Sequence, residues 1–138
     1  MIFEDGGKED YDIVVLSTGY KLHYPFIARE HLNWNGAAPE LYLNTFHPQH
    51  PGLFVLGMLE AAGIGWQGRY EVGELIARYI VHHKNESAAA QAFDTAKTGK
   101  WPNLSGGYKY LTLDRMAYYV HKGTFLKHVR KHLKQLAF

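Results

Sequence analysis

The sequence predicts an α/β chain in which a few short strands are followed mainly by helices. Three observations carry that expectation. An unbroken β-branched run stands in "YDIVVLS" near the start. Apolar residues recur at helical spacing after residue 68. No strand-like run follows "LFVLG", so everything beyond it reads as loop or helix. With 138 residues and a 46% hydrophobic fraction, one ordinary domain with a real core is expected. The aromatics, 10 Tyr, 7 Phe and 3 Trp, supply bulky core material with polar handles.

Taken in order, "EDGGKED" reads as a turn, its glycines supplying positive φ and its charges staying in water. "YDIVVLS" lacks polar alternation, the pattern of a strand buried on both faces in a parallel sheet. "YPFIAREHLNWNGAAPE" is irregular, with a helical turn near residues 27–32. "LYLNTF" alternates and reads as a strand, "HPQHPG" as a turn closed to strand and helix by two prolines, and "LFVLG" as a second buried strand. Gly63, Gly65 and Gly68 make a loop. From about Gly68 a helix follows, with Tyr70, Leu75, Ile76, Tyr79 and Ile80 as its apolar positions. Glu71 and Glu74 fall in its first turns and His82, His83 and Lys84 close it, in the order the helix dipole favours. "ESAAAQAFDTAKTG" is a second helix, capped by Ser87 or Asn85 and stopped by Gly99. The last segment opens with a cap at Thr112 and is mostly helical, with a break near Gly123. A complete doubly wound domain would keep alternating strands and helices, so this chain reads as part of something larger.

Several kinds of chemistry are excluded or disfavoured. Without cysteine there are no disulfides, thiolate metal sites or Cys nucleophiles, and a reducing, cytoplasmic setting fits. No apolar run approaches the ~20 residues of a membrane helix, and the acidic opening "MIFEDGGKED" does not read as a signal peptide. Nine histidines include the pairs His47/His50, His82/His83 and His128/His132. Val129 stands where a metalloprotease helix needs Glu, and no Asp or Glu lies between Met116 and the C-terminus. Surface histidines on a basic helix, and no metal, are therefore expected. Lys122, Lys127, Arg130, Lys131 and Lys134 accompany an apolar stripe of Phe125, Leu126, Val129, Leu133 and Leu136. That is an amphipathic helix with a solvated basic face, and the net charge of +2 gives no support to nucleic-acid binding. No G-x-S-x-G elbow marks a hydrolytic triad.

Two stretches remain as candidate sites. Ser17, Thr18, Gly19 and Tyr20 end the first strand. Ligands of open α/β sheets bind beyond such ends, and a small-small-Gly sequence admits close approach; a tight turn without ligand is the competing reading. "GIGWQG", residues 63–68, superficially fits G-x-G-x-x-G. No strand follows its helix, so it does not read as a pyrophosphate fingerprint, and a helix N-terminus contacting a ligand carbonyl remains open.

Together, three ordered stretches resemble the flavin-containing monooxygenases and the related Baeyer–Villiger and N-hydroxylating enzymes. They are "IFEDGGKEDYDIVVLSTGYKLHYPFI", with Ser17 in place of the usual Ala of an ATGY-type motif; "LYLNTFHPQHPGLFVLGMLE"; and "GRYEVGELIARYI", with Ile76 where the family's E-L-Q-A-R helix has Gln. The resemblance implies the C-terminal part of a Rossmann-like FAD/NAD(P)-binding domain, residues 1–138 forming one unit. Within it, residues 1–84 hold strands, loop and flavin-side helix, and residues 85–138 the C-terminal helices. It implies FAD and NADPH as cofactors of the complete enzyme, held largely by N-terminal parts absent from this sequence. It places Ser17, Thr18, Gly19 and Tyr20 beside the cofactors, and Gly65, Trp66, Gln67, Gly68 and Arg69 where a helix start faces the flavin. The implied reaction inserts one oxygen atom of O2 into a small N-, S- or carbonyl-containing substrate. No residue is named as catalytic, and the chain is expected to be inactive alone. The alternative is a non-catalytic interaction module whose open sheet edge favours a homodimer.

Overall fold

Helices carry the core. The computed structural model describes residues 1–19 and 21–138, without the side chain of Arg115. Three α-helices follow a long, mostly irregular N-terminal half: α1 (Gly65–Lys84), α2 (Ala88–Thr98) and α3 (Lys122–Gln135). Two strands, β1 (Trp34–Asn35) and β2 (Ala38–Pro39), pair antiparallel, with Trp34 opposite Pro39 and Asn35 opposite Ala38. Gly36 turns that hairpin at φ +62°, which glycine adopts without steric cost. Short 3-10 turns occupy Arg29–Leu32, where a helical turn was expected, and Asp114–Met116.

Each helix buries one stripe. Gly68, Val72, Leu75 and Tyr79 of α1 face Phe125, Leu126 and Val129 of α3, while Ala90 and Phe93 of α2 close the third side. These spacings of three and four keep the residues on one face. Removing each Phe, Leu or Val side chain from water contributes roughly 1.5–3 kcal/mol. Phe93 sits at the centre, its ring 4.8 Å from Phe46 and 5.0 Å from Tyr79. The basic–apolar reading of the last helix holds: Phe125, Leu126, Val129 and Leu136 are buried while Lys127, Lys131 and Lys134 are exposed.

The helix ends match the sequence unevenly. Ser87 caps α2 by accepting the Ala90 amide at 3.1 Å, and Gly99 ends it, as expected. The α1 helix begins at Gly65, three residues earlier than expected, so Gly68 is helical and not part of the loop. Its first turn then contains no acidic residue, because Glu71 and Glu74 lie deeper, although His82, His83 and Lys84 do close it. The α3 helix begins at Lys122 and not near Thr112. The His121 imidazole serves as its cap, Nδ1 accepting the Thr124 amide at 3.3 Å, and the preceding residues are held by a parallel bridge between Glu60 and Tyr119.

The expected strands are the main correction. "LYLNTF" is a tight reversal: Leu43 and Asn44 lie at φ +51° and +49°, and Tyr42 bridges Phe46. Its alternation reflects side chains packed on both sides of a turn, with Leu41, Tyr42, Leu43, Thr45 and Phe46 all buried. "LFVLG" makes a single bridge, Phe46 to Phe54, flanked by the Val55 amide donating to the Thr45 carbonyl at 2.9 Å. It is half-buried and not buried, with Leu56 exposed. The "IVVL" run forms no strand and pairs with nothing among the described residues, and Ile13, Val14, Val15 and Leu16 are 80%, 51%, 80% and 78% exposed. A strand buried on both faces needs a neighbour on each side, and no described segment supplies one. The described residues thus form a small α/β chain with two very short strands and three α-helices.

Candidate functional site

The N-terminal end of α1 is built by backbone geometry. Gly63 and Gly65 both take positive φ, +68° and +60°, and turn the chain sharply around buried Ile64. Ile64 has no side chain able to cap the helix, and no other side chain does so. The first bond into the helix runs from the Gly68 amide to the Ile64 carbonyl at 3.3 Å. The amides of Gly65, Trp66 and Gln67 therefore lack acceptors among the described residues. All three residues are exposed. Such an end concentrates N–H groups and positive dipole, and suits an electron-rich ligand edge.

Packing with α3 fixes this end. Gly68 is buried because a Cβ there would lie 2.5 Å from Ile64 Cγ1 and 3.6 Å from Leu126 Cδ2. One turn on, Glu71 accepts two bonds from the Arg130 guanidinium, 2.8 Å to Oε2 and 2.9 Å to Oε1, and a third from Gln67 at 3.4 Å. The Arg130 bonds hold the Glu71 carboxyl below the ordinary carboxylate range, against the opposing effect of burial. Gln67 thus braces the helix start, and Arg69 reaches back to the Gly65 carbonyl at 3.4 Å with its guanidinium 6.0 Å from the Trp66 ring.

The other expected site residues lie apart from this end. Ser17, Thr18 and Gly19 are exposed, neither hydroxyl has a partner among the described residues, and Gly19 sits at φ +85°. Tyr20 lies outside the described residues. No hydrogen bond or bridge joins residues 17–19 to residues 65–69. Two surface cavities lie elsewhere again. One of ≈270 Å³ is lined by Lys21, Arg29, Trp34 and Asp114, and one of ≈530 Å³ by Tyr108, Tyr110, Tyr119 and His121. Neither includes any expected site residue. The chain brings together the helix-start residues, and Ser17, Thr18 and Gly19 have no hydrogen bond or bridge to them.

Two polar groupings escaped the sequence reading. Lys97 of α2 is 2% exposed, with Nζ 2.8 Å from Asp94 Oδ1 and donating to the Tyr79 hydroxyl at 3.0 Å. The Tyr79 hydroxyl donates to the same Asp94 oxygen at 2.6 Å, and His83 Nδ1 lies 3.4 Å from the other. Burial, then the Asp94 bond, push the Tyr79 phenol up. Burial pushes the Asp94 carboxyl up as well, but the Lys97 and Tyr79 bonds outweigh it and its pKa lies below the ordinary value. The i, i+3 pair Asp94/Lys97 was the available signal. The second is His132. It is not a surface histidine but a buried one, its Nε2 2.7 Å from the Tyr42 hydroxyl and its ring against Phe93. Among the described residues no cluster of His, Asp or Glu could hold a metal ion. No helix there is long and apolar enough to cross a membrane.

The trimethylamine monooxygenase of Roseovarius sp. (strain 217) is 41% identical over 59 residues, which are 41% of this chain and 13% of that protein. The matched stretch thus spans only 13% of that relative's length. No solved structure matches the chain. A family profile described as flavin-binding monooxygenase-like matches residues 1–101 of the 138, and on that match the chain belongs to the flavin-binding monooxygenase-like family.

Proposed function

We propose that this chain is the C-terminal segment of an FAD- and NADPH-dependent monooxygenase, one unit from residue 1 to residue 138. The complete enzyme would insert one oxygen atom from O2 into a small N-, S- or carbonyl-containing substrate. Family membership supports the reading, and one observation carries the idea of a segment. The apolar run at residues 13–16 is exposed and unpaired among the described residues, as a strand would be when the sheet it completes belongs to other parts of the enzyme.

A flavin fits the α1 end in one respect and not in another. Three amides without acceptors among the described residues, on an exposed turn where nothing described lies within 4 Å of a Cβ at Gly65, suit a flat, electron-rich edge. No pyrophosphate cradle accompanies them, so this chain alone would not hold a dinucleotide. Bound there, the flavin would supply the redox and oxygen-transfer chemistry. The chain's own contribution is positional. The Gly65, Trp66 and Gln67 amides would donate to the edge that gains negative charge, with the helix dipole adding to them. Ser17, Thr18, Gly19 and Tyr20 would line the passage between the two cofactor-holding parts. No side chain of this chain is assigned a proton-transfer step.

Flavin titration of the isolated 138-residue chain tests the reading. It expects no tight FAD binding and no NADPH oxidation. Stoichiometric binding at submicromolar affinity would overturn the segment reading. Light scattering separates the alternative of a dimerising module, which expects a stable homodimer through residues 13–16.

A further inference from the structure

We infer that the outward face of α1 is the docking surface for the flavin-holding portion of the complete enzyme, an inference that rests on the proposed function. That face is formed by Trp66, Tyr70, Gly73, Ala77, Ile80 and Val81, spaced by four, three, four and three or four along one side of the helix. Trp66 is 87% exposed, Tyr70 68%, Ile80 48% and Val81 42%, and Ala77 is exposed too. Outer faces of water-facing helices are normally polar; α1 instead has a second apolar stripe opposite the one it buries. Glu71, Glu74 and Arg78 lie off the stripe, Glu71 engaged with Arg130, Glu74 with Arg78, and Arg78 also with the end of α3. At its middle, a Cβ on Gly73 would meet nothing within 4 Å, and with Ala77 one turn on another backbone can come close. From Trp66 to Val81 the stripe runs about 22 Å at 1.5 Å per residue, long enough to seat a partner element.

Two observations say what covers it. The stretch matching the trimethylamine monooxygenase is 13% of that protein, so most of a family member is chain outside this structure. The stripe also begins one residue inside the helix end assigned to the flavin. The inner side of that end is already filled by Ile64 and Leu126 against Gly68. A portion that brings a flavin to those amides must therefore approach along the open stripe, and would bury Trp66 and Tyr70 first.

The test co-expresses this chain with the flavin-holding portion of the Roseovarius trimethylamine monooxygenase, truncated before the stretch that matches it. Because the chain has no cysteine, Ala77→Cys carries a single nitroxide label, and Lys127→Cys on the exposed face of α3 is the control. The expected result is a yellow one-to-one complex in which the Ala77 label is immobilised and the Lys127 label is not. Trp66→Glu combined with Tyr70→Glu should lower recovery of the complex at least tenfold while the chain's far-UV circular dichroism is unchanged. A complex that survives the double variant with the Ala77 label mobile overturns the docking face and leaves the proposed function standing. Absence of any complex with the unmodified chain overturns both. Immobilisation of the Ala77 label in a concentration-dependent homodimer overturns the assigned occupant.

Discussion

Acid should loosen this protein through His132 before it touches the carboxylates. The side chain is 5% exposed, its Nε2 bonded to the Tyr42 hydroxyl at 2.7 Å. Burial lowers its pKa from the ordinary 6.5 to about 4, the Gln135 bond opposing and the Lys131 and His128 charges assisting. The folded state therefore prefers the neutral imidazole. A group depressed in this way contributes stability that is fully present above pH 6.5 and is lost as pH falls toward 4. At about 1.4 kcal/mol per pH unit, the shift corresponds to about 3 kcal/mol at most, a large share of the roughly 5–15 kcal/mol that holds a typical domain together. Burial lowers His47 and His128 as well, so they add to the same acid limb, and a variant must isolate the His132 part. Tyr42→Phe with His132→Phe removes both polar atoms and leaves no orphan hydroxyl. Urea unfolding followed by circular dichroism at pH 8, 6.5, 5.5 and 4.5 should show a steep acid loss in the native chain and a clearly shallower one in the double variant. Equal slopes would refute the assignment of a buried neutral imidazole to this position.

Other substitutions probe the frame of the helix end. Gly68→Ala should destabilise by about 1–3 kcal/mol through overpacking on Ile64. Helix propensity alone predicts a gain of about 1 kcal/mol, so the sign of the change in thermal midpoint decides between the two. Lys97→Ala should cost about 2–4 kcal/mol, because it opens a void and strips the partner from Tyr79 and Asp94. Lys97→Met should cost less, and equal urea midpoints for native and Ala chains would contradict the account. Ser87→Ala should cost about 1 kcal/mol by uncapping α2, measured as a lowered urea midpoint with an unchanged m-value.

Local chemistry made some of the fold legible, and contacts between residues far apart in sequence obscured much of the rest. The Ser87 cap, the Gly99 stop and the apolar stripe of α3 were readable because each depends on residues within a turn or two. The start of α1 was misjudged because three glycines look like a loop. The close approach of Ile64, 2.5 Å from where a Cβ would stand, accounts for a glycine inside the helix at Gly68. The "IVVL" run was read from its own composition, yet burial of a strand is a property of its neighbours. His132 was read as a surface residue because its neighbours Lys131 and Lys134 are. Its seven-residue spacing from Phe125 already put it on the buried stripe. The candidate site was half legible: the helix start is assembled within the chain, whereas Ser17, Thr18 and Gly19 are exposed and without hydrogen-bond partners among the described residues.

The E-L-x-A-R signature takes on a physical meaning that bears on what the segment contributes. Glu74 and Arg78 form an i, i+4 pair at 2.7 Å, and the same guanidinium donates to the Leu133 carbonyl at 3.0 Å and, at 3.4 Å, to that of Leu136. Those carbonyls belong to the last turn of α3 and its cap, where acceptors are left over and a cation is favoured. Leu75 is buried outright and Ile76 packs against the same core, so an apolar residue where the related helices carry Gln here adds to packing. The conspicuous polar residues of the motif thus tie α1 to α3, and with Glu71–Arg130 they clamp α1 at two heights along its length. A helix held so firmly on its inner side keeps its N-terminal amides and its outer apolar stripe in one fixed relation. On the proposed reading, that rigidity, more than any reactive side chain, is what the chain would offer to a flavin held elsewhere in the complete enzyme.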